Sequence, residues 1–346
     1  MTKKQSWYFF PLLFLAVLAG MVLVAYATSR GPGVGGDATI YLTTARNLIT
    51  GHGLGWTEAD GSFRLLPYTP PFYPLALSLV GLLVEDMVAG ARWLNVLLFG
   101  ATIALVGWYF FHSTGRLWLA VLLSGILATS PVIIGVEVWA MSESIFLFLG
   151  FAGLIVLLQY LETPRAVTLV GSALLCGLAF LTRYIGIAFV ATGGLALLLL
   201  GQRNTRQVRL DLRWQSLRRA LLFGVIAILP ILAWLVIDFS LTGTVGSRSG
   251  QPAAAYWQRF LEIGPALQKI YIFWVVPDSI AARLPRAVQW LLWLGPLVIV
   301  FALAAVLARR MSQPGRDVPA AGATSTRLAV LFGLFVVVYL VVLAVV

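Results

Sequence analysis

The chain has 346 residues, of which 60% are hydrophobic and only 11% are charged. A soluble domain carries about 25% charged residues, so this composition excludes a chain whose whole surface faces water. The formal net charge is +11, but the basic residues are scattered between apolar segments, which favours membrane orientation over nucleic-acid binding. The composition therefore predicts an all-α integral membrane protein that lies in a lipid bilayer and binds no nucleic acid.

The N-terminal segment resembles both a signal peptide and a membrane anchor. Lys3 and Lys4 precede an apolar run from Trp7 to Ala27, and the small residues around Tyr26 resemble a cleavage site. The apolar core of a signal peptide has about 7–15 residues, and this run is longer. It is long enough to cross about 30 Å of hydrocarbon as a helix. We therefore favour a retained anchor over a cleaved signal peptide.

Further apolar segments follow along the whole chain. Each is long enough, or nearly long enough, to cross the bilayer as a helix. We predict a single polytopic helical bundle over residues 1–346 with about nine transmembrane helices, at 7–27, 91–111, 117–136, 144–161, 166–183, 184–201, 220–238, 287–308 and 328–346.

The segment 67–84 is also apolar, but the positive-inside rule argues against a tenth crossing. The N-terminus and the basic stretches 202–219 and 309–327 should be cytoplasmic. An even number of crossings must then separate the N-terminus from 202–219, and 67–84 would make that number odd. Its prolines are also poor material for a spanning helix. We predict a short interfacial helix there; the alternative is an ordinary crossing with another boundary misplaced.

The resulting topology has two large outer loops, 28–90 and 239–286. Ten of the thirteen acidic residues fall outside or at the outer ends of the crossings, so acid–base chemistry is expected on the outer face. The chain has two histidines and one cysteine, Cys176, and no Walker loop, His-Glu-x-x-His or Cys-x-x-Cys motif. These absences give a His or Cys metal site little basis.

Four residues in the first outer loop and beside it are candidates for chemistry. Asp37 follows a glycine-rich stretch and begins a helix-compatible run. It could cap that helix, act as a catalytic base, or do both. Tyr41 lies on the same helix face. His52 lies between two glycines just past the helix, where it could bind substrate or simply be an exposed loop residue. Glu143 opens the fourth crossing, where a solvated helix N-terminus is the plain explanation.

Two arginines are candidates for binding an anion. Arg183 lies in the middle of 166–201, an apolar stretch of 36 residues, at the expected outer turn between two crossings. A phosphate is a natural partner for an arginine in that place, and snorkelling to lipid headgroups is the alternative. Arg248 lies among glycines and serines of the second outer loop, where the backbone could approach an anion closely.

The order of these motifs resembles the GT-C membrane glycosyltransferases, in the bacterial branch related to protein O-mannosyltransferases and lipid A aminoarabinose transferases. The resemblance covers about residues 7–200 and, more loosely, 220–308. The motifs that carry it are Asp37 heading a helix with Tyr41 and Ala45-Arg46-Asn47-Leu48, then Gly51-His52-Gly53, Pro70-Pro71-Phe72-Tyr73-Pro74, Ala91-Arg92-Trp93-Leu94-Asn95, Ser142-Glu143, and Gly177-Leu178-Ala179-Phe180-Leu181-Thr182-Arg183.

The resemblance implies a GT-C fold with interfacial helices in the first outer loop. It implies inverting transfer of a sugar from a polyprenyl-phosphate donor to a lipid, glycan or protein acceptor at the outer face of a bacterial cytoplasmic membrane. Site roles follow by position in the motifs. Asp37 and Glu143 are expected to be catalytic, Arg183 and Arg248 to bind the donor phosphate, and Tyr41, His52 and Tyr68 to bind the acceptor or substrate.

The family often has Asp-Glu where this chain has Asp37-Ala38, so a divalent metal held by two carboxylates there stays an open question. A lysine before the Pro-Pro pair in some relatives is Thr69 here.

Two other classes of function are left open. A transporter or flippase for a lipid-linked sugar should show repeats or charges near the midplane, and a membrane acyltransferase would favour a histidine in a membrane pocket.

Overall fold

The computed structural model describes residues 3–65, 69–200, 209–242, 283–285, 287–288 and 320–345. Within these ranges the chain forms eleven α-helices, a two-stranded antiparallel hairpin and a 3₁₀ turn at Tyr184–Gly186. The strands are β1 (Gly55–Thr57) and β2 (Phe63–Leu65), and the helices are α1 (Lys3–Ala27), α2 (Asp37–Ile49), α3 (Phe72–Gly81), α4 (Met87–Thr114), α5 (Leu117–Thr129), α6 (Pro131–Glu137), α7 (Glu143–Glu162), α8 (Ala166–Thr182), α9 (Ile187–Leu200), α10 (Arg209–Thr242) and α11 (Ala320–Val345).

Four of the described helices are long and apolar enough to cross a membrane, which confirms the all-α membrane class. They are α1, α4, α7 and α10, and a fifth span results if α5 and α6 are taken together. The helices α3, α8, α9 and part of α11 are apolar but shorter. The count of nine crossings stays a prediction, and the predicted crossing 287–308 lies outside the described residues except for its first two.

The predicted crossing 117–136 is not one straight helix, and this corrects the sequence-based boundary. α5 and α6 are bent by 52° relative to each other at Ser130. Pro131 is the first residue of α6, and proline disfavours helical backbone in the residue before it. Ser130 is accordingly extended, and its hydroxyl accepts a hydrogen bond from the Ile133 N–H at 3.3 Å. Hydropathy alone does not register this break.

The two basic stretches are also less loop-like than predicted. α10 begins at Arg209, within the predicted loop 202–219, and α11 begins at Ala320, within the predicted loop 309–327. Arginine and alanine are good helix formers, so a helix extends past the end of its apolar segment. A boundary set by hydropathy marks where apolar residues stop, which is not where the helix stops.

The segment 67–84 contains the short helix α3, as the crossing count required. Its ten residues span about 15 Å, half of the hydrocarbon thickness. α3 packs mainly against α2 and the start of α4. Its location at a membrane interface stays a prediction.

The helices pack closely where small residues face a neighbour. A Cβ atom at Gly177 of α8 would lie 2.4 Å from the Ala227 carbonyl oxygen of α10, so only glycine permits this approach. Aromatic rings fill the space between α9 and α11, where Phe189 and Phe335 stack at 4.5 Å between centroids. The N-terminal α1 packs on α4 in the same way, with Phe9 on Phe111 at 3.9 Å.

The bundle has two distinct ends, which we call the site end and the opposite end. α7 starts at Glu143 and runs for 20 residues, so its ends lie about 30 Å apart. α8 returns antiparallel and ends beside Glu143, at Arg183. The site end therefore carries Asp37, Glu143 and Arg183. The opposite end carries Arg165 and the start of α10.

The predicted orientation can be tested by cysteine labelling. Cys176 is fully buried, so the folded protein should not react with a maleimide. Ala59→Cys, exposed in the hairpin turn at the site end, should react with a membrane-impermeant maleimide in intact spheroplasts. Thr163→Cys, exposed at the opposite end, should react only after permeabilisation. Labelling of Thr163→Cys alone in intact spheroplasts would mean that the orientation is reversed.

Candidate functional site

The segment that leads into α2 is held by backbone hydrogen bonds to the segment between α6 and α7. The Gly33 N–H donates to the Val138 carbonyl at 2.8 Å, and the Ala140 N–H donates to the Gly33 carbonyl at 3.0 Å. The Trp139 ring covers Gly33 so closely that a Cβ atom there would lie 2.6 Å from it. This contact brings the start of α2 to the start of α7.

Asp37 is the first residue of α2 and not its N-cap, which corrects the capping alternative. The cap position is occupied by Gly36, whose φ of +52° suits glycine, and no side chain caps the helix. The Asp37 carboxylate has no hydrogen bond or ion pair within the described part of the chain. The positive end of the helix dipole favours its negative charge. Asp37 is thus a half-buried carboxylate that is not committed to a structural bond.

Glu143 and Arg183 form an ion pair across α7 and the end of α8. One guanidinium nitrogen of Arg183, Nη1, donates to Glu143 Oε1 and also to the Ser142 hydroxyl, the latter at 3.2 Å. The side chains are 33% and 24% exposed for Arg183 and Glu143. The other Arg183 nitrogens make no hydrogen bond among the described residues. The arginine is therefore fixed in place and keeps donors for a further anion.

Tyr41 lies near all of these charged groups. Its side chain is buried, which raises its pKa, although a hydrogen bond with Ser142 and the nearby Arg183 cation both act to lower it. The carboxylates of Asp37 and Glu143 raise the pKa further. Tyr41 is therefore a neutral phenol within electrostatic reach of all three charged candidates. The structure thus brings together Asp37, Tyr41, Glu143 and Arg183.

Tyr73 belongs to the same cluster and was not among the predicted site residues. Its ring meets the Tyr41 ring edge-on, with centroids 5.1 Å apart and planes at 84°. Tyr73 is fully buried, and burial together with the carboxylate of Glu143 raises its pKa. Its hydroxyl and Glu143 Oε2 are both buried without a hydrogen-bond partner in the described structure. Buried polar atoms are normally paired, so these two are suited to a ligand hydroxyl or a water.

A second buried carboxylate, that of Glu137, lies near the cluster. Glu137 is only 2% exposed and accepts a hydrogen bond from the Ser144 hydroxyl. Asn95 of α4 donates to two backbone carbonyls, that of Glu137 at 3.0 Å and that of Trp139 at 2.7 Å. These bonds hold in place the backbone segment to which Gly33 is hydrogen-bonded. Asn95 stood in a motif of the resemblance, but nothing in the sequence showed which backbone it would bind.

The remaining predicted site residues do not join this cluster in the described structure. His52 lies beyond the C-terminal end of α2, which is about 20 Å long. Its Nδ1 lies 2.7 Å from the Thr50 hydroxyl, and the side chain is exposed. Tyr68 and Arg248 lie outside the described residues.

The described residues contain no group of three or more His, Cys, Asp or Glu side chains placed to hold a metal ion. The cation that this cluster itself offers to an anionic ligand is Arg183.

Among the comparisons with known proteins, only the comparison of structures found a similarity. No family model matches the chain, and no curated protein matches it. Among solved structures it is similar to the crystal structure of ArnT from Cupriavidus metallidurans bound to undecaprenyl phosphate, with a TM-score of 0.47 and 18% sequence identity. The match covers 93% of this chain and 59% of that one. The chain thus spans less than two thirds of the length of that protein.

The contact between Gly33 and Trp139 can be tested with two neighbouring glycines. Gly33→Ala should destabilise the protein by about 1–3 kcal/mol, because the new methyl group must displace the Trp139 ring or the loop. Gly35→Ala is the matched control, since its Cβ would lie 3.8 Å from the same ring, an ordinary contact distance. Thermal unfolding of the purified full chain measures both. Equal stability of the two variants would show that the loop is not held in this way.

Proposed function

We propose that this protein is a membrane glycosyltransferase that moves a sugar from a polyprenyl-phosphate donor to an acceptor hydroxyl. The observation that carries the proposal is the uncommitted carboxylate of Asp37 next to the fixed Arg183–Glu143 pair. The cluster lies at one end of an apolar helical bundle, where a lipid-linked substrate can present its phosphate. We propose that this end faces outward from a bacterial cytoplasmic membrane.

In this mechanism Asp37 is the general base. The acceptor oxygen forms a bond to the anomeric carbon as the bond between that carbon and the phosphate oxygen breaks. The acceptor proton passes to the Asp37 carboxylate, and the electron pair of the broken bond stays on the polyprenyl phosphate. Attack opposite to the leaving group inverts the anomeric configuration. A base that has no structural hydrogen bond to give up is suited to accept this proton.

Arg183 is the proposed partner of the leaving phosphate. Negative charge grows on the phosphate as the bond breaks, and a fixed cation stabilises the transition state because it needs no reorganisation. Glu143 binds one edge of the guanidinium and holds it in place, while the remaining N–H donors of Arg183 are available to the phosphate. Glu143 thus serves the chemistry by positioning the cation.

Tyr41 and Tyr73 are the proposed contacts to the sugar or the acceptor hydroxyl. Both are buried phenols with raised pKa values, so both keep their proton and can donate a hydrogen bond. Tyr73 and Glu143 Oε2 lack partners in the described structure, and a substrate hydroxyl placed between them would satisfy both atoms.

The apolar surface near the cluster suits the lipid part of the donor. α3 and the turn after it expose large apolar side chains, with Leu79 and Leu82 each 66% exposed and Leu83 87% exposed. Leu79 follows Tyr73 on the same short helix, and Leu82 and Leu83 lie in the turn after it. A polyprenyl chain could lie against them in the bilayer while its phosphate reaches Arg183. The acceptor, whether lipid, glycan or protein, would approach from the aqueous side.

Replacing Asp37 tests the base directly. Asp37→Asn should lower the rate of sugar transfer by at least about a hundredfold, because the amide cannot accept the proton. Membranes supplied with labelled polyprenyl-phosphate sugars measure the transfer. Asp60→Asn, in the exposed hairpin turn of the same loop, is the matched control and should retain full activity. Undiminished sugar transfer by a folded Asp37→Asn protein would contradict the assignment of Asp37 as the general base.

Arg183 should affect the donor more than the acceptor. We expect Arg183→Ala to lower kcat/KM for the donor about 10- to 100-fold, the loss expected for a hydrogen bond to a charged group. The apparent KM for the acceptor should change little. Arg183→Lys should restore part of the activity, since it keeps the charge but not the fork of donors. The opposite ranking of donor and acceptor effects would refute the phosphate role.

A flippase for a lipid-linked sugar is the second candidate, and the helix break at Ser130 favours it. Transporters bind substrates where helices are discontinuous, and this break interrupts an apolar segment. The two candidates differ in whether the sugar–phosphate bond is cleaved. Reconstituted vesicles with a labelled donor separate them, because a flippase moves the intact donor between leaflets and a transferase releases polyprenyl phosphate.

A further inference from the structure

A second polar site lies at the opposite end of the bundle. A cavity of about 470 Å³ lies between the end of α7, the start of α8 and the first turns of α10. Among its described lining residues are three arginines, Arg165, Arg218 and Arg219, and no acidic residue. It is separated from the proposed catalytic cluster by the length of α7, about 30 Å.

The three arginines have no partner among the residues that the structure describes. Their side chains make no hydrogen bond or ion pair within the part of the chain that the structure describes. Three cations around one cavity repel each other, and an anion between them removes that cost. Guanidinium groups suit a phosphate in particular, since each can give two parallel hydrogen bonds. The cavity is therefore complementary to a phosphate group.

The apolar part of the lining indicates that the phosphate belongs to a lipid. Leu222 lines the cavity and is still 49% exposed, so one wall continues onto the outer face of α10. Further exposed apolar side chains follow it along the helix at intervals of three or four residues. They are Val225, Leu229, Leu232 and Val236, which are 52–68% exposed. A soluble phosphate would make no contact with this stripe of apolar side chains, whereas the acyl chain of a lipid would lie along it.

We propose that this cavity binds the headgroup of an anionic phospholipid, with the lipid phosphate held by Arg165, Arg218 and Arg219. The glycerol backbone lies over Leu222, and one acyl chain follows the exposed stripe of α10. In the predicted orientation the lipid belongs to the cytoplasmic leaflet. Basic pockets between helices on that side are suited to anionic headgroups. The proposal does not depend on glycosyl transfer.

Native mass spectrometry of the purified full chain tests the site with defined lipids. We expect retention of one phosphatidylglycerol per chain, with at least about tenfold preference over phosphatidylcholine of the same acyl chains. Each of Arg165→Gln, Arg218→Gln and Arg219→Gln should weaken that binding about fivefold, which corresponds to about 1 kcal/mol per basic residue. Equal retention of the two lipids by the wild-type protein would overturn the proposal.

A matched control distinguishes this site from general surface charge. Arg116 lies at the same end of the bundle, at the start of α5, but does not line the cavity. Arg116→Gln should leave lipid retention unchanged, and a loss equal to that of Arg218→Gln would overturn the proposal. Where a glutamine variant does not fold, Arg218→Lys keeps the charge without the fork, and we expect a two- to fivefold weakening. Wild-type affinity in that variant would also contradict the site.

A competition experiment distinguishes a bound lipid from a bound soluble phosphate. Inorganic phosphate in large excess over lipid should leave the retained phosphatidylglycerol in place, because it cannot replace the acyl-chain contacts. Displacement of the lipid by inorganic phosphate alone would mean that the cavity takes a soluble anion, and the lipid assignment would fail.

Discussion

An arginine at the end of an apolar bundle needs a fixed partner, and the site end of this protein is organised around the pair that Arg183 makes with Glu143. The pair joins the start of α7 to the break between α8 and α9. Through Ser142 it reaches Tyr41 of α2. Removing one member would leave a half-buried charge without its counter-ion, which costs more than the pair itself contributes. The same contact therefore holds the local fold together and, in the proposed mechanism, directs a cation at the donor phosphate.

Asp37 is brought near this pair by hydrogen bonds of the backbone and of one amide side chain. The bonds of Gly33 to the 138–140 segment fix where α2 begins, and Asn95 of α4 fixes that segment in turn. None of these groups takes part in the proposed reaction. Their effect is to place a carboxylate at the start of a helix without using it as a cap, so that its oxygens stay available. A site assembled in this way depends on packing at residues that no catalytic argument would select.

Much of this arrangement could be predicted from the sequence, because it depends on local properties. The interruption of the apolar stretch at Arg183 and the start of a helix at Asp37 follow from charge and glycine content, and the shortness of α3 follows from crossing parity and proline. The pairing of Glu143 with Arg183 could not be predicted. α7 is apolar nearly all round, so periodicity does not show which face meets α8. Tyr73 was missed for the same reason, since the orientation of α3 is set by tertiary packing.

The opposite end of the bundle carries Arg165, Arg218 and Arg219 and the site end carries Asp37, and this has an electrical consequence in the proposed orientation. A bacterial membrane is negative inside, so the arginines at the opposite end lie on the side that attracts them, and Asp37 lies on the other. Turning the bundle over would carry each of these charges across the membrane potential, at about 2.3 kcal/mol per charge per 100 mV. The energised membrane thus stabilises the orientation that the loops establish during insertion, and it does so more strongly in a respiring cell than in a de-energised one.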